Sequence, residues 1–209
     1  MIARLERQGL DFELVDAFDE NDVEVERIAP RKTNVTERRI AACLASHLQA
    51  LRLFLDDDHD EAVILEDDVR LVHRFTRRLD ELRSDVPATC PLVSLGYLFW
   101  HDEGFERSGS DGDRLRTMGW DLWGTQGYLV RRRWAERCLE AFHRPLDAIA
   151  TDGVRTSELI TRSARDLGGL VAWPPLVIED LTGSIIDPTA GAANHHDGQA
   201  RWPSTDYDA

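Results

Sequence analysis

Three adjacent carboxylates, Glu66, Asp67 and Asp68, stand directly behind Val63-Ile64-Leu65, a run of readily buried side chains. In an extended chain Glu66 and Asp68 project to one side and Asp67 to the other. Two like charges ~5 Å apart repel by about 3 kcal/mol at an effective dielectric of ~20, but by under ~1 kcal/mol in bulk water. Burial therefore decides what these residues do. At a solvated strand end they only mark where the chain leaves the core; behind a buried strand, a divalent cation or a raised pKa must relieve the repulsion. Hard carboxylate oxygens favour Mg²⁺ or Mn²⁺, and so few protein ligands leave coordination positions for phosphate oxygens. The acidic run Asp56–Glu61 has no strand behind it and reads as a solvated turn.

Other residues with chemical potential are more ambiguous. His47 falls inside the apolar stripe made by Ile40, Leu44, Leu48, Leu51 and Leu55, while Ser46 lies outside it. A histidine there is ordinarily a core residue hydrogen-bonded to its surroundings. Gly124, Gly127 and Tyr128 read as a tight turn and a core tyrosine, or as a close backbone approach to a ligand with the phenol as hydrogen-bond donor. His195-His196 offers imidazoles that suit Mn²⁺, yet sits in a small, polar stretch with the composition of a disordered tail. Cys43, Cys90 and Cys138 are far apart and odd in number, which fits neither a disulfide framework nor a zinc site.

These residues need a scaffold. Asn34 as N-cap with Glu37 three residues on opens a helix expected to reach about Leu55. Met1–Gly9 reads as the end of a helix, Phe12–Val15 as a short strand, and Asn21–Lys32 as polar and irregular. Helices are expected over Leu71–Arg83, over the stripe Ala135, Cys138, Leu139 and Phe142, and over roughly Gly153–Leu167. Strands are expected at Val63–Leu65, Leu92–Gly96, Gly124–Val130 and Leu170–Trp173. Strands alternating with helices, with continuous apolar runs, imply an α/β domain on a mostly parallel sheet flanked by helices. Ligands in such sheets sit beyond the strands' carboxyl ends, where Glu66–Asp68 fall. One domain over residues 1–186 is expected, then a polar, mobile tail over 187–209.

The chain has 209 residues, 42% of them hydrophobic, and a net charge of −14, which argues against nucleic acid as a partner. No apolar run is long enough for a transmembrane helix and no signal-peptide pattern opens the chain, so a cytoplasmic location is expected.

The ordered set ACLASHLQAL (Ala42–Leu51), VILEDDV (Val63–Val69) and WGTQGYLVRRRWAERCL (Trp123–Leu139) resembles glycosyltransferase family 25, which includes lipooligosaccharide and collagen galactosyltransferases. FELVDAFD (Phe12–Asp19) and Pro174-Pro175-Leu176 add to it, so that the resemblance runs from about Leu5 to Ile186. It implies a GT-A-like fold, a nucleotide-diphosphate sugar donor (a UDP-sugar), a glycan or lipid-linked acceptor, and inversion at the anomeric carbon in one displacement. It implies an Asp-x-Asp-type site in which Glu66 and Asp68 hold Mn²⁺ or Mg²⁺, with Asp67, Ser46, His47, Gly127 and Tyr128 near the donor. Asp152 matches the aspartate expected as acceptor base, with Asp147 and Asp121 as alternatives; Trp120, Trp123 and Trp173 are candidates for stacking on sugar. Two rivals remain at this point: a non-catalytic module that binds sugar nucleotides, and a metal-dependent nucleotidyltransferase that releases pyrophosphate.

The resemblance also implies something upstream. Such proteins usually open with a Val-Ile-Asn-Leu-type strand and an arginine-containing loop, whereas Met1–Glu6 is already helical in pattern. The upstream reading frame is expected to encode that strand within about 10–25 residues; the alternative is a shortened protein that binds donor weakly or not at all.

Overall fold

The computed structural model describes residues 1–30, 34–99, 114–118, 122–143, 158–180 and 202–208. In chain order its elements are α1 (Ile2–Arg7), α2 (Val23–Ile28), α3 (Val35–Asp56), β1 (Glu61–Leu65), β2 (Val69–Leu71), α4 (Phe75–Asp85), β3 (Leu92–Phe99), β4 (Leu115–Thr117), β5 (Leu122–Arg131), α5 (Arg132–Ala141), α6 (Glu158–Arg165), β6 (Leu170–Ala172) and β7 (Val177–Glu179). No described helix is long and apolar enough to cross a membrane.

The longest helix, α3, begins as its sequence dictates. The Asn34 side chain accepts a hydrogen bond from the Thr36 N–H at 2.8 Å, satisfying one of the four donors left open at a helix start. Its apolar stripe then buries Leu44, Leu48 and Leu51 completely. Each such leucine stabilises the fold by roughly 1.5–3 kcal/mol.

Five strands form the main sheet in the order β1-β5-β3-β6-β4, and β2 pairs with β7 in a separate two-stranded sheet. Among the described strands only β3 and β6 run parallel; β1/β5, β3/β5, β4/β6 and β2/β7 are antiparallel. The expectation of a mostly parallel sheet is therefore corrected. The main sheet is covered on both faces: Tyr128 and Val130 of β5 join a core built on α2, α3, α5 and α6, while Leu129 joins one built on α1, α4, β2 and β7. Burial on both faces produces the same continuous apolar runs whatever the strand direction, and β5 inserts antiparallel between β1 and β3.

Other differences are local. Asn21–Lys32 contains α2, whose Val25 and Ile28 are fully buried while its third apolar residue, Val23, is exposed; two buried positions are too few for a periodicity to register. Phe12–Val15 forms no strand, and the helix expected from Leu71 begins at Phe75, after the short strand β2. The last segment also departs from the expected mobile tail, at least over 202–208. Tyr207 is buried, bridges to Val72, and donates its hydroxyl hydrogen to the Pro175 carbonyl at 2.8 Å; Trp202 meets Trp173 edge to face at 5.1 Å. Two aromatic anchors hold a segment whose average composition is polar.

Candidate active site at the carboxyl end of β1

The antiparallel ladder between β1 and β5 reaches Leu65↔Gly127 and continues for one more rung, where the Glu66 N–H donates to the Gln126 carbonyl at 3.0 Å. The chain then turns through Asp67 and Asp68 into β2. Asp68 is pinned from the other side, because its carbonyl accepts from the Asp180 N–H at 2.6 Å, just past the end of β7. The carboxylates thus lie at the seam between the two sheets.

Glu66 is held by donors. Its Oε1 accepts from the Thr125 hydroxyl at 2.5 Å and lies 3.2 Å from His47 Nε2. The other ring nitrogen, Nδ1, is 3.1 Å from the Tyr128 hydroxyl. With neutral His47, Nε2–H donates to Glu66 and Nδ1 accepts from Tyr128; with the imidazolium, both nitrogens donate. Burial opposes charge on His47, but Tyr128, Cys43 and Glu66 together outweigh it and hold its pKa well above the usual imidazole value. Burial pushes the Tyr128 phenol up to about 12.

Asp68 has the opposite surroundings. Burial first, then the negative charges of Glu66, Glu179 and Asp67, push its pKa up to about 7. Its Oδ1 is buried and has no hydrogen-bond partner among the described residues. A buried carboxylate oxygen facing other carboxylates suits a hard divalent cation: the oxygen donors match Mg²⁺ or Mn²⁺, and the accumulated charge is what such an ion neutralises. By this criterion Asp68 fits a metal, with Glu66 and Glu179 as the neighbouring carboxylates.

Glu179 was not among the residues picked out from sequence. The signal was there: Val177-Ile178-Glu179-Asp180 repeats the pattern of Val63-Ile64-Leu65-Glu66, an apolar run ending in carboxylates.

Not every expected site residue converges here. Asp67 is exposed on the turn. Ser46 clips two segments together, accepting from the Phe18 N–H at 3.0 Å and donating to the Ala42 carbonyl at 2.9 Å. A Cβ on Gly127 would meet Leu65 Cδ2 at 2.8 Å, so close packing against β1 accounts for this glycine. Tyr128 is fully buried and touches the site through His47. Trp173 packs on Trp202 and under the Arg116 guanidinium, 4.2 Å from its ring centre. Asp152, Asp147, Asp121, Trp120, His195 and His196 lie outside the described residues, as does the side chain of Trp123. A cavity of about 370 Å³, lined by Arg74, Arg77, Arg78, Arg114 and Trp173 among others, borders none of the carboxylates discussed above.

A mixed α/β sheet with a polar site at the end of a half-buried strand defines a broad class, one that many unrelated chemistries share. The sequence narrows it: residues 1–153 match the model of glycosyltransferase family 25, described as LPS biosynthesis protein, and the chain belongs to that family. The matched region contains α3, β1, the Glu66–Asp68 turn and β5; Glu179 lies beyond it. No curated protein matches the chain. Membership in the family implies a sugar donor and an acceptor.

Proposed function

We propose that the protein transfers a hexose, such as galactose, from a nucleotide-diphosphate sugar (a UDP-sugar) to a glycan or lipid-linked acceptor, using Mn²⁺ or Mg²⁺ held by Asp68 and Glu66. The observation that carries this reading is the buried Oδ1 of Asp68, unpartnered among the described residues and set among carboxylates just past the end of β1. The reading includes a GT-A-like arrangement, which the double-sided packing of the sheet behind the Glu66–Asp68 turn supports. When bound, the cation offsets the charge of the donor diphosphate and of the nucleoside diphosphate that departs.

The chain's own residues have separable tasks. His47 and Thr125 fix the Glu66 carboxylate in one orientation, so that little reorganisation accompanies binding. Asp67, exposed on the same turn, meets the sugar nucleotide from the solvent side. The acceptor oxygen forms its bond to the anomeric carbon as the bond from that carbon to the diphosphate oxygen breaks. The proton of the acceptor hydroxyl passes to Asp152, and the configuration inverts.

Two substitutions test this reading. Asp68→Asn is expected to abolish Mn²⁺-dependent donor binding with the fold intact; unchanged metal-dependent affinity rejects the assignment. Asp152→Asn is expected to lower kcat by about 10²–10⁴ with donor affinity nearly unchanged. Loss of donor binding in that variant would make Asp152 a donor contact instead. Release of pyrophosphate rather than a nucleoside diphosphate would favour the nucleotidyltransferase reading, and donor binding without turnover the non-catalytic one.

A further inference from the structure

Cys43 and His47 are four residues apart on α3, and so share one face of the helix. Together with Glu66 they present three ligand atoms, a thiol sulfur, an imidazole nitrogen and a carboxylate oxygen, all within 4.8 Å of one another. We propose that Cys43, His47 and Glu66 form a second metal site, selective for Zn²⁺ or a similarly soft divalent ion, distinct from the hard-cation site centred on Asp68. The proposal stands whether or not the transferase reading does.

The geometry already has the form of a ligand set. With Nδ1 taken up by the Tyr128 hydroxyl, Nε2 is the nitrogen left for a metal. A metal-bound histidine normally anchors its second nitrogen in this way. Nε2 lies 3.2 Å from Glu66 Oε1; two ligands on a tetrahedral centre with bonds of 2.0–2.2 Å lie about 3.3–3.6 Å apart, so a small opening of the pair admits the ion. Thr125 donates to Glu66 Oε1 from behind and fixes the carboxylate as Tyr128 fixes the imidazole. Cys43 and Glu66 are only half-buried, which leaves access for a fourth ligand such as water.

Charge and softness then select the ion. Thiolate and carboxylate carry two negative charges and neutral imidazole none, so a divalent ion closes the set at zero net charge in a largely buried place. Sulfur and nitrogen donors disfavour Mg²⁺ and Mn²⁺ and favour Zn²⁺. Binding displaces into solvent the proton of the Cys43 thiol and the Nε2 proton of the His47 imidazolium; the neutral imidazole that remains keeps Nδ1–H, which donates to the Tyr128 oxygen. Glu66 is common to this set and to the Asp68 neighbourhood, so soft-metal occupancy withdraws that carboxylate from its neighbour.

Cobalt(II) is the probe. The purified full chain, stripped with chelator and reduced, is titrated with Co²⁺ and followed by absorption. The expected result is a thiolate-to-cobalt charge-transfer band with tetrahedral d–d bands, saturating at one equivalent and displaced by Zn²⁺. Cys43→Ser and Cys43→Ala, each checked for native circular dichroism, are expected to lose the charge-transfer band and to weaken Zn²⁺ binding on the order of 10²-fold or more. Cys90→Ser, Cys138→Ser and Asp68→Asn are expected to retain it. Absence of the band in the wild-type chain overturns the proposal. So does its survival in both Cys43 variants, or its loss in Asp68→Asn.

Discussion

Glu66 and Asp68 are two residues apart at one strand end, yet they occupy opposite electrostatic settings. Glu66 meets a hydroxyl and an imidazole, both able to donate. Asp68 meets Glu66, Glu179 and Asp67, with one oxygen buried and unpartnered among the described residues. Sequence spacing treats these carboxylates as a pair; their neighbours separate them. A carboxylate supplied with donors is held ionised in one orientation, whereas one surrounded by other carboxylates gains from a proton or a cation.

The largest consequence concerns pH. The folded pKa of Asp68 is raised from 3.8 to about 7, so between these values the folded state binds more protons than the unfolded state. Stability from this group is fully present below about pH 4 and declines as pH rises through 7, by on the order of 2–4 kcal/mol. Asp68→Asn removes the penalty. In chelator at pH 8 the variant is expected to resist urea better than the wild type, with the advantage gone at pH 4. Parallel denaturation curves for the two proteins across that range would break the contrast between Asp68 and Glu66.

The Glu66 side of the contrast is tested by Thr125→Val, nearly equal in shape but without the hydroxyl. Loss of a hydrogen bond to a charged acceptor is expected to cost about 2 kcal/mol, above the carboxylate titration range. Chemical denaturation at pH 7 measures it, and no loss would mean that Glu66 is not held by donors. Smaller again is Glu179→Gln, which removes one negative neighbour of Asp68. It is expected to lower the Asp68 pKa by about one unit, followed by NMR titration of the side-chain carboxyl; an unmoved titration would remove Glu179 from the cluster. Ser46→Ala serves as the control beyond the carboxylates. It is expected to cost about 1 kcal/mol in urea denaturation, with no change in metal response.

Much of this arrangement was legible in the amino-acid order, for physical reasons. The Asn34 cap and the stripe through Leu44, Leu48 and Leu51 are local signals, and they placed α3 and His47 correctly. An apolar run ending in charge placed Glu66 and Asp68 at a strand end. Strand direction was not legible, because burial on both faces erases the alternation that marks an antiparallel sheet with one wet face. Nor was the meeting of Asp68 with Glu179, which depends on β2 pairing with β7 more than a hundred positions along the chain. The short helix α2 and the segment 202–208 carry little sequence signal, because each is anchored by two apolar side chains: Val25 and Ile28 in one, Trp202 and Tyr207 in the other.

Calorimetry of donor binding tests the central claim most directly. The wild-type chain and Asp68→Asn are each titrated with a panel of nucleotide-diphosphate sugars, with and without Mn²⁺. The account predicts that a UDP-sugar binds the wild type only when Mn²⁺ is present, and that Asp68→Asn shows no such binding while keeping its native circular dichroism. Binding to Asp68→Asn with an unchanged dependence on Mn²⁺ would contradict it.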